Sequence, residues 1–345
     1  MNKSLLILFL LFLFSCKNES PDPIEISTLE ISEGVVVLNE GGFNMGNASL
    51  SIILKNGTVV NGIYKAKDNK SLGDVAQSIF EFRNELYIVV NNSAKIEVIN
   101  RDDFQPIATI EGLYSPRYMA QISDEELWCT NGFNNEISII NTKTKTIDNR
   151  VELGCDEDNV YDCGFDKILV YGDNVFISNW DQNSIFVFDK NNRSLIKEIE
   201  TTFQTTDIII FDDAIFSINS DLGDKSGKLI KINPTNLEIE QTWETNDAGS
   251  YTNLLLEINE KIYLMTSGVF ELNLEQNNLV LYEKIAGFES IYGAGVDTRF
   301  SQEKLYICDA LDFQQKGEVY KINTRTFAIE DTFTVGIIPS KVYFY

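Results

Sequence analysis

The chain has 345 residues, 43% of them hydrophobic, and carries a formal net charge of −24 at pH 7. This acidic excess repels phosphate backbones and anionic headgroups, so it argues against nucleic-acid binding and against electrostatic attachment to a membrane. The sequence contains no histidine, which excludes Ser-His-Asp and Cys-His catalysis as well as His-ligated zinc or haem.

The N-terminal segment has the features of an export signal. Residues 1–15 contain one basic residue, Lys3, and then an apolar run over residues 5–14 that is too short for a mature transmembrane helix. The sequence Leu13-Phe14-Ser15-Cys16 resembles the lipobox of bacterial lipoproteins, which implies cleavage before Cys16 and lipidation of its thiol; a plain secretory signal is the alternative. Residues 17–33 are polar and contain two prolines, which predicts a flexible tether. We therefore expect an exported protein that contacts the membrane through the Cys16 lipid only.

A short phrase is repeated seven times between residue 35 and the end of the chain. Each copy is an apolar run, usually with an aromatic residue at its second position, followed by a polar residue that is most often Asn. The copies begin at Val35, Leu86, Leu127, Val175, Ile215, Ile262 and Leu305. Their spacing of 40 to 51 residues is the period of a four-stranded propeller blade. Because the aromatic residues recur with the fold, we expect them to pack between neighbouring blades.

The first and last copies of the repeat predict how the ring closes. Each phrase is followed by two further strand-like segments, and every copy except the first is also preceded by one. Residues 340–345 form a strand-like segment with no phrase after it. We therefore predict one all-β domain over residues 34–345, a seven-bladed β-propeller of four-stranded blades in which the C-terminal strand completes blade one. This closure removes free sheet edges, and truncation of the last strand is expected to open the ring.

The cysteines after Cys16 fall into two kinds. Cys155 and Cys163 lie in one inter-blade loop, and in an exported protein this spacing predicts a local disulfide. Cys129 and Cys308 occur within the repeated strand, where they are expected to act as small buried hydrophobes. The aspartates within 156–162 lie in the same loop as Cys155; they are either a solvated acidic cluster or a calcium site.

The loops that join the blades, and those between the second and third strands of each blade, are expected to open on one face and to carry function. They are rich in aromatic residues and amides, which suits a large, neutral ligand with apolar faces and many amide groups. Packing of these side chains onto their own blades is the alternative. The candidate ligand-binding residues are Phe43, Asn92, Tyr114, Arg117, Phe133, Trp180, Phe203, Tyr251, Tyr292 and Phe313.

Several segments together resemble a known group of propellers. These segments are residues 37–43, 47–50, 72–77, 87–93, 95–98, 317–320 and 336–339. As a set they are similar to the YncE-like and BtuG-like surface lipoprotein propellers of Bacteroidota. The resemblance implies a lipid-anchored outer-membrane protein at the cell surface that captures cobalamin or another corrinoid and hands it to a TonB-dependent transporter. The corrinoid would be a transported ligand, and no cofactor, resident metal or catalytic residue is expected.

Two other functions stay open at the level of the sequence. The propeller could be a protein-interaction module of a surface nutrient-uptake complex, with its aromatic residues as interface anchors. A propeller lactonase would instead need carboxylates that hold a metal near the axis. Asp74, Asp166, Asp207 and Asp297 lie near the starts of inner strands, where they either converge in this way or link neighbouring blades. We expect a protein without enzymatic activity.

Overall fold

The computed structural model describes residues 34–133, 136–153, 164–179, 181–220, 227–245, 253–274 and 279–344. Over these residues the chain forms seven four-stranded antiparallel sheets in a ring, which confirms the seven-bladed β-propeller. Several predictions concern residues outside this range. They are the lipidation of Cys16, the tether over residues 17–33, the Cys155–Cys163 disulfide, the acidic cluster within residues 156–162, and ligand contacts by Trp180 and Tyr251.

The blades are numbered along the chain, and in blades 2 to 7 the strands follow one another from the axis outwards. Blade 1 contains β1 (Val35–Asn39), β2 (Ser49–Ile53) and β3 (Val59–Asn61). Blades 2 and 3 contain β4 (Ala76–Phe82), β5 (Glu85–Val90), β6 (Lys95–Asn100), β7 (Pro106–Glu111), β8 (Pro116–Gln121), β9 (Glu126–Asn131), β10 (Glu136–Asn141) and β11 (Thr146–Glu152). Blades 4 and 5 contain β12 (Phe165–Tyr171), β13 (Asn174–Asn179), β14 (Ser184–Asp189), β15 (Leu195–Glu200), β16 (Gln204–Phe211), β17 (Ala214–Ser220), β18 (Gly227–Ile232) and β19 (Ile239–Thr245).

The last two blades complete the ring. Blades 6 and 7 contain β20 (Leu254–Ile258), β21 (Lys261–Met265), β22 (Gly268–Asn273), β23 (Val280–Ala286), β24 (Ile291–Asp297), β25 (Lys304–Asp309), β26 (Lys316–Asn323) and β27 (Ile329–Ile337). The final strand, β28 (Pro339–Phe344), returns to blade 1, where it pairs with β1 as the innermost strand.

The second strand of each blade is buried on both faces because a neighbouring blade lies on each side. The aromatic residues of the repeated phrase are all at most 6% exposed, and they are Tyr87, Trp128, Phe176, Phe216, Tyr263 and Tyr306. Trp128 of blade 3 meets Phe188 of blade 4 edge to face, with ring centroids 6.4 Å apart. The predicted packing between blades is therefore confirmed. Cys129 and Cys308 are free thiols in the same strands, buried as predicted, and burial raises the pKa of each to about 12.

Ring closure by the C-terminal strand is confirmed. β28 pairs antiparallel with β1, with Val37 opposite Val342. Its backbone also lies against blade 7, where an added Cβ at Gly293 would lie only 1.8 Å from the carbonyl oxygen of Ser340. Glycine at position 293 therefore permits the close approach of β24 and β28 that joins the last blade to the first.

A short helix, α1 (Ile63–Asp68), lies in the connection between blades 1 and 2 and was not predicted from the sequence. Ile63 and Tyr64 are buried against the apolar residues of β2. Six residues are too few to show a helical period, so its apolar residues could be recognised only from their burial. In the described part of the chain, no helix has the length and apolar character needed to cross a bilayer.

Candidate functional site

One face of the ring gathers the connections between blades and the loops between second and third strands. Because neighbouring strands in each blade are antiparallel, every inner strand begins at this face and every second strand ends there. We call it the upper face. It is the face on which the sequence predicted ligand binding, so the upper ends of the inner strands define the candidate site.

The pairing of inner strands with their neighbours is interrupted by bulges at the upper face. A bulge places extra residues opposite a shorter stretch of the partner strand, which redirects their side chains. The residues that the pairing omits are Gln77 in β4, Arg117 and Tyr118 in β8, Asp166 and Lys167 in β12, Thr206 in β16, Tyr292 in β24 and Ser340 in β28. All eight of these residues line one cavity on the propeller axis. The bulges therefore build the site.

The axial cavity has a volume of about 240 Å³ and receives residues from every blade. Besides the bulge residues it is lined by Glu40, which follows β1, by Lys341 of β28, and by Asn253 and Leu254 of blade 6. This volume is below the roughly 300–1,000 Å³ of typical ligand pockets. The axial cavity is thus polar, charged and suited to a small group.

Arg117 links blades 2, 3 and 4 across one side of the cavity. Its Nε lies 2.7 Å from Oδ1 of Asp166, and its Nη1 donates to Oε1 of Gln77 at 2.8 Å. The Gln77 amide in turn donates to the Tyr118 hydroxyl at 3.2 Å. Burial alone would lower the pKa of Arg117, but the charge of Asp166 raises it, so the guanidinium stays protonated.

Lys167 and Asp207 form the second ion pair of the cavity wall. Lys167 Nζ lies 3.1 Å from Asp207 Oδ1, and the other oxygen of Asp207 accepts a hydrogen bond of 2.9 Å from the backbone N–H of Leu255. These contacts join blades 4, 5 and 6. Burial opposes the charge of Lys167, but the Asp207 carboxylate outweighs it, so the pKa of Lys167 is raised.

Tyr118 lies between two ammonium groups. Lys167 Nζ is 4.4 Å and Lys341 Nζ is 5.6 Å from the centroid of its ring, both within cation–π distance. Burial tends to raise the pKa of the phenol, yet the two lysines lower it overall. Tyr118 is therefore a phenol in a positive environment inside a strongly acidic protein.

Glu40 and Tyr292 connect the cavity to the loops above it. The Tyr292 hydroxyl donates to Oε1 of Glu40 at 3.2 Å, and burial raises the pKa of Glu40 despite this bond and the nearby charges of Arg117 and Lys341. Burial and Glu40 together raise the pKa of Tyr292. The Tyr292 ring meets Phe313 edge to face, with centroids 5.5 Å apart. Phe313 belongs to an upper-face loop, so the polar cavity continues into an apolar rim.

The rim of the upper face exposes large apolar side chains in loops where they were predicted. We define the aromatic rim as Phe43, Tyr114, Phe133 and Phe313, which are 68%, 62%, 50% and 42% exposed. Met45, at 72%, lies beside Phe43 in the loop between β1 and β2. Exposed aromatic groups on one face are typical of a binding surface.

The other predicted contact residues occupy different positions. Asn92 is exposed and donates from its amide to Oδ1 of Asn44 at 3.1 Å, which ties together two upper-face loops. Phe203 is half-buried, and Lys228 Nζ lies 5.3 Å from its ring centroid. Arg117 and Tyr292 lie in the axial cavity. The predicted residues thus divide between the rim, the cavity and the loops.

The four aspartates considered for a lactonase have separate partners. Asp166 and Asp207 pair with cations of the preceding blade, as described above. Asp297 pairs with Arg299 at 2.7 Å, and Asp74 accepts a hydrogen bond of 3.1 Å from the backbone N–H of Asn44. Within the described residues, no three acidic or cysteine side chains are grouped so as to hold a metal ion. Asp166 and Asp207 therefore link neighbouring blades, whereas Asp297 pairs with a residue of its own connection.

Five polar residues that line the cavity were not predicted as site residues from the sequence, and they are Glu40, Gln77, Tyr118, Lys167 and Lys341. A signal was present, because in several inner strands two polar or aromatic residues stand between the first residue and the next apolar one. Alignment of 116–119, 165–168 and 339–342 gives Pro-Arg-Tyr-Met, Phe-Asp-Lys-Ile and Pro-Ser-Lys-Val. Both residues of the pair are bulged in β8 and β12, whereas in β28 only Ser340 is bulged and Lys341 follows it.

A family model described as a domain of unknown function, DUF5074, matches residues 33–327. The chain therefore belongs to the DUF5074 family. The match ends before β27 and β28, the strands that complete blades 7 and 1. No curated protein matches the chain.

Solved structures share the propeller fold at low sequence identity. A candidate 6-phosphogluconolactonase from Bacteroides uniformis is 14% identical, with a TM-score of 0.64 over 91% of this chain and 100% of its own. The periplasmic gluconolactonase of Pseudomonas aeruginosa is 10% identical, with a TM-score of 0.66 over 91% of this chain and 99% of its own. A quinonprotein alcohol dehydrogenase-like protein from Bacteroides thetaiotaomicron is 13% identical, with a TM-score of 0.64 over 91% and 78%. These likenesses concern the fold alone.

Proposed function

We propose that this propeller captures a large, mostly neutral ligand on its upper face, and that the ligand is cobalamin or another corrinoid. The observation that carries the proposal is the coincidence, on one face, of the aromatic rim with a polar cavity at its centre. A corrinoid has a wide macrocycle surrounded by amide side chains. Aromatic rings can cover the macrocycle, while amides and hydroxyls can pair with its edge.

The size of the cavity determines how such a ligand would lie. A cavity of about 240 Å³ is too small to enclose a macrocycle, so the ring would rest across the aromatic rim with one side group directed into the cavity. Tyr292 and Phe313 offer contacts at the transition between the two regions. Because the chain contains no histidine, capture would not replace a metal ligand by imidazole.

The biological setting is part of the same proposal. The lipobox-like sequence ending at Cys16 supports anchoring to the outer membrane, and the similarity to YncE-like and BtuG-like surface lipoproteins supports delivery of the ligand to a TonB-dependent transporter. In this role the protein binds and releases without chemical conversion.

Isothermal titration of the purified full chain with cyanocobalamin tests the proposal. We expect saturable heat with one corrinoid for each chain. Absence of heat, combined with copurification of an outer-membrane transporter, would favour the protein-interaction module. Hydrolysis of a gluconolactone by the chain would contradict a noncatalytic role. It would also show that the chain has the kind of activity for which two of its structural neighbours are named.

Rim variants make the test specific. Tyr114→Ala and Phe133→Ala each remove an exposed ring that ligand binding would bury, so we expect each to weaken binding about tenfold or more. Ile107→Ala is the matched control, because Ile107 is 46% exposed on the outer strand β7 and lies away from the upper face. Equal effects of all three variants would remove the rim from the binding site. Weakened binding by Trp180→Ala and Tyr251→Ala stays a prediction from the sequence.

A further inference from the structure

Among the described residues, one cation of the axial cavity has no carboxylate partner. Arg117 is paired with Asp166, and Lys167 with Asp207. Lys341, by contrast, has no carboxylate within ion-pair distance among the described residues. Its ammonium nitrogen lies 5.6 Å from the centroid of the Tyr118 ring, which attracts a cation. The ring does not provide the hydrogen-bond acceptors that the three N–H groups of an ammonium can use.

Among the described residues, the hydroxyl group of Tyr118 is the second donor of the cavity that has no acceptor. Its hydroxyl oxygen accepts from the Gln77 amide, but within the described part of the chain no acceptor lies within hydrogen-bond distance of the phenol proton. Both Tyr118 and Lys341 line the cavity. Both side chains are half-buried, so where the protein supplies no acceptor, their donors pair with water or with a ligand that enters the cavity.

We propose that the axial cavity is a binding site for a small oxyanion, a carboxylate or a phosphate group, held by the Lys341 ammonium and the Tyr118 hydroxyl. Arg117 and Lys167 add positive electrostatic potential from the wall of the cavity, where they stay paired with Asp166 and Asp207. The low pKa of Tyr118 makes its hydroxyl a stronger donor to an anion. In the described lining, the only carboxylate without a paired cation is Glu40, which accepts a hydrogen bond from Tyr292 and whose pKa is raised by burial.

The overall charge of the protein makes this cavity unusual. A chain with a net charge of −24 repels free anions at long range, so an anion is retained only where local donors outweigh that field. The bulges of β8 and β12 place Arg117 and Lys167 at the axial cavity, and Lys341 lines it next to the bulge of β28. We expect the affinity for an oxyanion to fall as salt is added, because salt screens part of the electrostatic attraction.

Titration of the full chain with inorganic phosphate, and separately with acetate, in a low-salt Tris buffer tests the site. We expect at least one of the two anions to bind the unaltered chain. Lys341→Met should weaken that binding about ten- to hundredfold, and Tyr118→Phe about tenfold, as expected for the loss of hydrogen bonds to a charged group. Lys316→Met is the control, because it removes the same charge from an exposed lysine at the start of β26 near the upper face.

Circular dichroism and thermal unfolding of each variant separate a lost site from a lost fold. Tyr118→Phe keeps the ring between the two lysines, so it preserves packing if Lys341→Met disturbs β28. The proposal is overturned if Lys341→Met and Lys316→Met bind phosphate and acetate alike, or if neither anion binds and Lys341→Met leaves corrinoid affinity unchanged.

Titration with two corrinoids identifies the source of the oxyanion. Cyanocobalamin carries a phosphodiester in its nucleotide loop, whereas cobinamide lacks that loop. If Lys341→Met weakens binding of cyanocobalamin but not of cobinamide, the cavity receives the anionic group of the larger ligand. If it weakens binding of free phosphate or acetate and leaves both corrinoids unaffected, the cavity is a separate anion site. The heat of corrinoid binding by the unaltered chain tests the proposed function directly. The failure of one proposal can therefore be distinguished from the failure of the other.

Discussion

The second strands of the blades and the upper ends of the inner strands differ in nearly every physical respect. The second strands are regularly paired, apolar and buried on both faces, and their side chains are fixed by neighbouring blades. The upper ends of the inner strands are bulged and polar, and their side chains pair across blade boundaries by charge. Stability and ligand binding are therefore assigned to different strands of the same blade, as is usual where functional sites break local rules.

The largest effect that would test this division comes from Trp128. Trp128→Ala removes a fully buried ring from β9 and its contact with Phe188, so the free energy of unfolding should fall by about 3–5 kcal/mol. Urea denaturation measures the change. Ile329→Ala, on the outer strand β27 and 47% exposed, should cost less than about 0.5 kcal/mol. Similar losses in both variants would contradict the assignment of stability to the second strands.

Arg117 tests whether the bulged ends depend on charge pairing. Arg117→Ala leaves the Asp166 carboxylate without its cation; because both side chains keep some contact with solvent, we expect a loss of about 1–3 kcal/mol in unfolding free energy. The double variant Arg117→Ala/Asp166→Asn should recover part of this loss, since it removes the unpaired charge. A double variant that is less stable than Arg117→Ala would show that packing, and not charge, holds these residues.

The smallest effect concerns Glu40 and pH. Its pKa is raised in the folded state, so the folded protein binds this proton more tightly than the unfolded chain does. The stabilising contribution of the neutral form is complete below the unfolded pKa near 4.5 and is lost as pH rises through the folded pKa. Glu40→Gln should therefore raise the melting temperature by about 1–2 °C at pH 8, and the difference should disappear at pH 4. A variant less stable than the parent at pH 8 would reverse the sign and disprove the burial argument.

Much of the fold could be predicted because its signals are local. The repeated phrase marks every second strand, and the unmatched strand at residues 340–345 predicts the closure observed between β1 and β28. The rim residues Phe43, Tyr114, Phe133 and Phe313 were also located correctly on loops of one face, since loop position follows from strand order. Whether they contact a ligand stays a prediction.

The axial cavity could not be predicted in the same way. Asp166 and Asp207 were recognised as inner-strand residues, but the partners Arg117 and Lys167 that fix them come from neighbouring blades. Glu40 and Tyr292 meet although they are 252 residues apart in the chain. No local pattern contains such a pair.

The sequence by itself determined the number of blades, the strand that closes the ring and the residues packed between sheets, because the spacing of apolar residues along a strand is a local property. Only the tertiary structure decided which polar side chains face the axis. That choice depends on bulges in the pairing of each inner strand with its neighbour, and on seven inner strands meeting at one point, which happens only when the ring is closed.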